Sequence, residues 1–237
     1  MRIHQKTSYD DDINLFEDGR QALWYVALVA AAALLPFAVS GYFLGEVTNV
    51  LILAIAGMGL MLLAGHTGQP SLGHAAFLAC GAYMEAWLNN RGVSFLISLP
   101  AAGLFAGAVG ALIAIPALRM SGIYLAIATL AMGIVAEDVA IRDSEVSAKA
   151  MGINIARFKT LAFFLSCFVT GLSGALMAHF LGAFYYEAFL ITISIQMLLM
   201  IVVGGMGSIH GAFFGAMVVG FLPQIITGIR QQITMTA

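Results

Sequence analysis

Gly65-His66-Thr67-Gly68-Gln69-Pro70-Ser71-Leu72-Gly73-His74 lies between two apolar runs, Val50–Ala64 and Ala75–Leu88. These residues comprise three glycines, one proline, five polar side chains and one leucine. Bare lipid does not tolerate such a backbone, because its N–H and C=O groups would lack partners. The stretch is therefore either an ordinary turn at a membrane surface or a re-entrant element enclosed by protein. In the second case it lines a polar space, as where broken helices turn their ends toward a solute. Spacing alone allows both.

The flanking sequence decides the class. The chain has 237 residues, 61% hydrophobic and only 9% charged, with a mean hydropathy of +0.97. A soluble domain carries roughly a quarter charged residues. The composition predicts an all-α, polytopic transmembrane bundle. At about 20 residues per span, the length suits one domain of about eight spans. A polar tail at 1–20 precedes the membrane domain at 21–237. The formal net charge of −2 implies no nucleic-acid partner. Cys80 and Cys167 both lie in apolar runs and read as small packing residues rather than a disulfide or metal site. The five histidines show no metal-ligand spacing, so no metal or cofactor is expected in this chain. Of the 26 glycines, Gly103 with Gly107 and Gly211 with Gly215 fall at the interval that lets helix backbones approach closely in lipid.

Taken in order, Met1–Arg20 holds five acids and three bases, too acidic for the start of a signal peptide, although Ala38-Val39-Ser40 resembles a cleavage site. Spans are predicted near Ala22–Leu44, kinked at Pro36, then Val47–Leu63, His74–Leu88, Phe95–Leu118 and Ile123–Val139. Pro70 and Ser71 suit a helix start, with Ser71 as a candidate cap. Gln69, Ser71 and His74, with the helix ends near Gly68 and Gly73, would then surround a positive helix terminus able to receive a carboxylate without a fixed cation. For His74 a satisfied packing role is the competing reading, and for Ser71 simple capping.

Ile141–Lys159 is the charged segment inside the chain. Val146, Ala150 and Ile153 share one helical face, Glu145 can pair with Lys149, and Gly152 should stop the helix. Its four bases place it on the cytoplasmic side. Arg142, Asp143, Glu145, Val146, Ala150, Gly152 and Ile153 are thus candidates for a short docking helix, against the plainer reading of a solvated loop. Further spans are expected near Thr160–Leu181, Ile191–Val203 and Ile209–Ile226. Between the last two, Gly204-Gly205-Met206-Gly207-Ser208 forms a second irregular stretch. His74-Ala75-Ala76-Phe77 parallels His210-Gly211-Ala212-Phe213, a hint of two related halves meeting at a solute path.

The first stretch, continued by Ala75-Ala76-Phe77 and Gly81-Ala82-Tyr83, resembles the signature of LivM-type permeases, membrane subunits of ABC importers for branched-chain amino acids. Gly122–Ala131, Arg142-Asp143-Ser144-Glu145 with Ala150–Asn154, and Val202–Ser208 match the same family in order. The resemblance implies a multi-pass inner-membrane permease that works with a second homologous permease, two cytoplasmic ABC ATPases and a periplasmic solute-binding protein. ATP would be bound by the partner subunits. This agrees with the lack of a G-x-x-x-x-G-K-[ST] loop here. It further implies that the 142–153 segment docks on an ATPase.

Two departures from the family stand out. Members usually carry an extra segment between the fifth span and the docking loop, and a further helix past the region of Pro223. Five crossings from a cytoplasmic N-terminus would also leave the docking loop on the wrong side. The region around Glu137–Arg142 is therefore expected to depart most from the family. Two rival functions remain at this stage: a permease of the same architecture for urea, short amides or other amino acids, and an ATPase-independent secondary transporter or channel. The latter needs ionisable groups at membrane depth, for which Glu85, Glu137 and Asp138 are the candidates. No nucleophile–base pair supports an enzyme.

Overall fold

The computed structural model describes residues 36, 40–67, 71–117, 155–205, 208 and 210–222. Among these residues the chain is all-helical, with four helices long and apolar enough to cross a membrane. Contacts divide the chain into two compact units, Met1–Val47 and Thr48–Ala237.

Helix α1 runs Gly41–Thr67, α2 His74–Asn89, α3 Phe95–Ala117, α4 Ile155–Leu181 and α5 Ile191–Gly204. A single 3-10 turn, Tyr186–Phe189, precedes α5, and α6 is the shorter apolar helix His210–Leu222. The sequence reading broke the chain between Leu44 and Val47. The structure instead carries one helix through Gly45-Glu46, since an isolated glycine costs a helix only about 1 kcal/mol. Likewise α4 begins at Ile155 rather than Thr160, so Arg157 and Lys159 lie on its first turns. Long basic side chains permit this by carrying their charge toward the interface while their stems follow the helix.

The core forms around α1. Ile52, Ala56, Leu60 and Met61 meet Leu78, Met177, Met197, Ile201 and Ala212, while Leu53 and Ala54 meet Met200, Ala216 and Val219. Hydroxyl bonds fix the register of α1 on α4. Ser166 Oγ donates to Gly59 O at 2.5 Å and Ser173 Oγ to Ile52 O at 2.5 Å. Seven residues on one helix match seven on the other with the numbering reversed, so the two run antiparallel. Small residues bring the remaining helices close. A Cβ on Gly103 would meet Leu172 at 2.8 Å and one on Gly107 would meet Phe164 at 3.0 Å, so this pair faces α4. Gly204, Gly211 and Gly215 close the α5–α6 contact in the same way. Cys167 is buried against Gly110 of α3 and Cys80 is half-buried; both are free.

The second irregular stretch is built from a stop and a start. Gly205 ends α5 at φ 95°, ψ 117°. Ser208 then caps α6: Gly211 N donates to its Oγ at 3.0 Å and Ala212 N to its carbonyl at 3.1 Å. Nothing crowds a Cβ at Gly205, so its φ alone resists substitution. Gly205→Ala is expected to destabilise by about 1–3 kcal/mol, whereas Gly41→Ala, in helical backbone with open space, should be near neutral. Melting of the detergent-solubilised protein measures both.

Candidate functional site

The site is the N-terminal end of α2. Its depth follows from register. His74 meets Ser166, Leu78 lies against Gly174 and Glu85 meets His179, so α2 runs parallel to α4 and alongside its C-terminal part. Gly59 sits at the level of Ser166. From Gly59, α1 continues eight residues to Thr67, about 12 Å at 1.5 Å per residue. From Ser166 back to Ile155, α4 extends about 16 Å. Helix α2 therefore begins well inside the bundle, flanked by longer neighbours. Its 16 residues reach about 24 Å, short of a full crossing.

That end is held by side chains from α4 and α5 and, through Ser166, by a backbone carbonyl of α1. Ser166 Oγ lies 2.9 Å from His74 Nε2 and donates its only proton to Gly59 O. Within this network Oγ must accept from His74, which assigns the proton to Nε2 and leaves Nδ1 a bare acceptor. Nδ1 has no partner, and His74 is fully buried. Its ring packs edge-on to Phe77, with centroids 5.5 Å apart, and Phe77 packs on Phe163. Ala75 N, an end group that no intrahelical carbonyl can satisfy, donates to Ser194 Oγ of α5 at 2.9 Å. Thr170 Oγ1 donates to Ser166 O at 3.0 Å, one turn back along α4.

Of the residues singled out from sequence, Gly68 and Gln69 lie outside the described residues, as do Gly207 and the docking set Arg142, Asp143, Glu145, Val146, Ala150, Gly152 and Ile153. Ser71 is half-buried and Gly73 exposed. Ser71 does not cap α2. The cap position belongs to Gly73, with no side-chain bond, and Ala76 N donates to Gly73 O at 3.0 Å. Ser71 stands two residues too early, and Ser194 takes the next amide from across the bundle. The repeat maps onto two helix starts, His74 and His210, but with different surroundings: His74 is buried and His210 exposed. Sequence reading missed Ser166, Thr170, Ser173 and Ser194. The first three fall at i, i+4 and i+7 in an apolar span, a polar stripe visible to the same periodicity used for apolar faces.

A second polar cluster closes the other end of α2. Glu85 Oε1 accepts from Ser98 Oγ at 2.5 Å and lies 2.7 Å from His179 Nε2.

A family model described as "Branched-chain amino acid transport system / permease component" matches residues 42–137 and 138–236. The two stretches abut at Glu137/Asp138, inside the region expected to depart most from the family, which lies outside the described residues. Over 136 residues the chain is 39% identical to the high-affinity branched-chain amino acid transport system permease protein LivM of Escherichia coli (strain K12), covering 57% of this chain and 32% of that protein. Identity to the LivM protein of Salmonella typhimurium (strain LT2) is 38% over the same length. The chain thus spans about a third of the length of these curated relatives. No solved structure matches it significantly.

Proposed function

The chain belongs to the branched-chain amino acid transport system permease family, and from that premise we propose that it is a membrane-spanning permease subunit of an ATP-driven importer carrying branched-chain amino acids across the inner membrane. The observation that supports this reading best is the start of α2 inside the bundle. A helix N-terminus at depth offers N–H donors and a positive end to a carboxylate. His74 Nδ1 adds an acceptor for an N–H donor. Leu60, Met61 and Leu78 supply apolar surroundings. A zwitterion with an apolar side chain needs this combination of weak polar partners and apolar walls. Gly68, Gln69, Ser71, Gly73 and His74 line the path on this reading, with the second irregular stretch Gly204, Gly205, Gly207 and Ser208 as the counterpart in the related half.

The partners are a second homologous permease, two cytoplasmic ABC ATPases and a periplasmic solute-binding protein. Affinity purification from the native host should bring down two P-loop ATPases, and cells should accumulate radiolabelled leucine in preference to urea. A complex without ATPases, or urea carried in preference to leucine, would overturn the assignment.

Arg142 to Ile153 take the push from the ATPases. Gly152→Pro, which replaces the glycine that ends the docking helix, and Glu145→Lys, which reverses a charge on it, should reduce leucine uptake at least about tenfold, while membrane abundance and ATP hydrolysis by the purified complex persist. Wild-type uptake in both variants would refute the coupling role.

A further inference from the structure

Glu85 is the one buried carboxylate among the described residues, 1% exposed. It lies eleven residues along α2 from His74, about 16 Å away, too far to touch a solute at the N-terminal end. Its Oε1 takes both neighbours, Ser98 of α3 and His179 of α4, while Oε2 has no partner. A buried carboxylate without a cation is strongly disfavoured. The His179 side chain, 37% exposed, is the basic group within reach, and Phe95 packs edge-on against its ring at 4.7 Å. Neither α3 nor α5 contains an ionisable residue. The other bases of α4, Arg157 and Lys159, lie at its opposite end. Arg91, beyond α2, sits over the Trp87 ring at 3.7 Å. On α2 itself the remaining ionisable residues are Cys80 and Tyr83. Glu187 of the 3-10 turn is exposed, and Glu46 of α1 is half-buried.

We propose that Glu85 and His179 are positioning residues for the transport step: a pair that clamps the remote end of α2 to α4 and α3 and so steadies the His74 end within the bundle. The proposal rests on the reading that the α2 N-terminus lines the path. Removing either partner leaves a buried hydrogen bond of the other unmade at this end of α2.

Two measurements test this on the assembled complex. A double-mutant cycle of Glu85→Gln and His179→Gln, read as melting midpoints in detergent, should show a coupling of about 3 °C or more. No coupling overturns the proposal. In cells, the maximal rate of leucine uptake per inserted protein should fall about threefold or more in Glu85→Gln and in His179→Gln, with KM unchanged and the double variant no lower than either single one. Wild-type uptake in both single variants overturns the link to transport. The melting cycle does not depend on the solute. If wild-type cells take up no leucine while the coupling behaves as expected, the assignment of function fails and the clamp stands.

Discussion

Gly174→Val and Gly81→Val are each expected to eliminate the folded permease. The Cβ that valine adds at Gly81 falls on the backbone of Gly171, and the one at Gly174 falls on the Leu78 carbonyl. In both cases the obstacle is main chain, which cannot swing aside as a side-chain terminus can. Helices α2 and α4 would have to separate, and separation carries the His74–Ser166 and Glu85–His179 contacts apart with it. Overpacking a well-packed core typically costs about 1–3 kcal/mol, and backbone overlap belongs at or beyond the upper end. For a chain of this size that is a fall of about 10 °C in melting midpoint, enough to remove a monodisperse peak in mild detergent. Gly57→Ala is the control. Its Cβ meets nothing nearer than Met200 Sδ at 3.9 Å, and stability should be unchanged within about 0.5 kcal/mol. Valine variants that melt with the wild type would show that the α2–α4 seam is not closed as described.

The sequence carried the helical class and most element positions because lipid leaves so few options. Phe95–Leu118 and Ile191–Val203 were readable to within a residue of α3 and α5, since continuous apolar runs bounded by polar turns admit little else. What it did not carry was any feature decided by a partner distant in the chain. Whether Gly65–His74 is a surface turn or a re-entrant element depends on how far α1 and α4 extend past it, and that is a property of register. Ser71 looked like the cap of α2 because capping is local. The amide that needed an acceptor found Ser194, 119 residues away. The continuity of α1 through Gly45-Glu46 has the opposite cause: the pair reads as a break, but a helix tolerates one glycine and one acid when its flanks continue.

Ser166→Ala is expected to destabilise more on its own than together with His74→Leu. Ser166 Oγ is the acceptor for His74 Nε2–H and the donor to Gly59 O, all three buried. Alanine leaves a protonated imidazole nitrogen facing carbon while Nδ1 already lacks a partner. An unsatisfied buried donor costs about 1–3 kcal/mol, whereas removing both partners for apolar groups of similar shape is nearly neutral. The Gly59 carbonyl does not reverse this, because it keeps its place in the α1 ladder. The single variant should therefore melt about 3–8 °C lower than the wild type, with the double variant recovering at least half of that loss. Uptake separates the two roles open to His74. On the proposed reading its imidazole belongs to the path, so leucine uptake per inserted protein stays at least about tenfold down in the double variant although stability returns. If uptake recovers along with the melting point, His74 is a packing residue held by Ser166, and the path must be built from the backbone of the 68–73 segment instead.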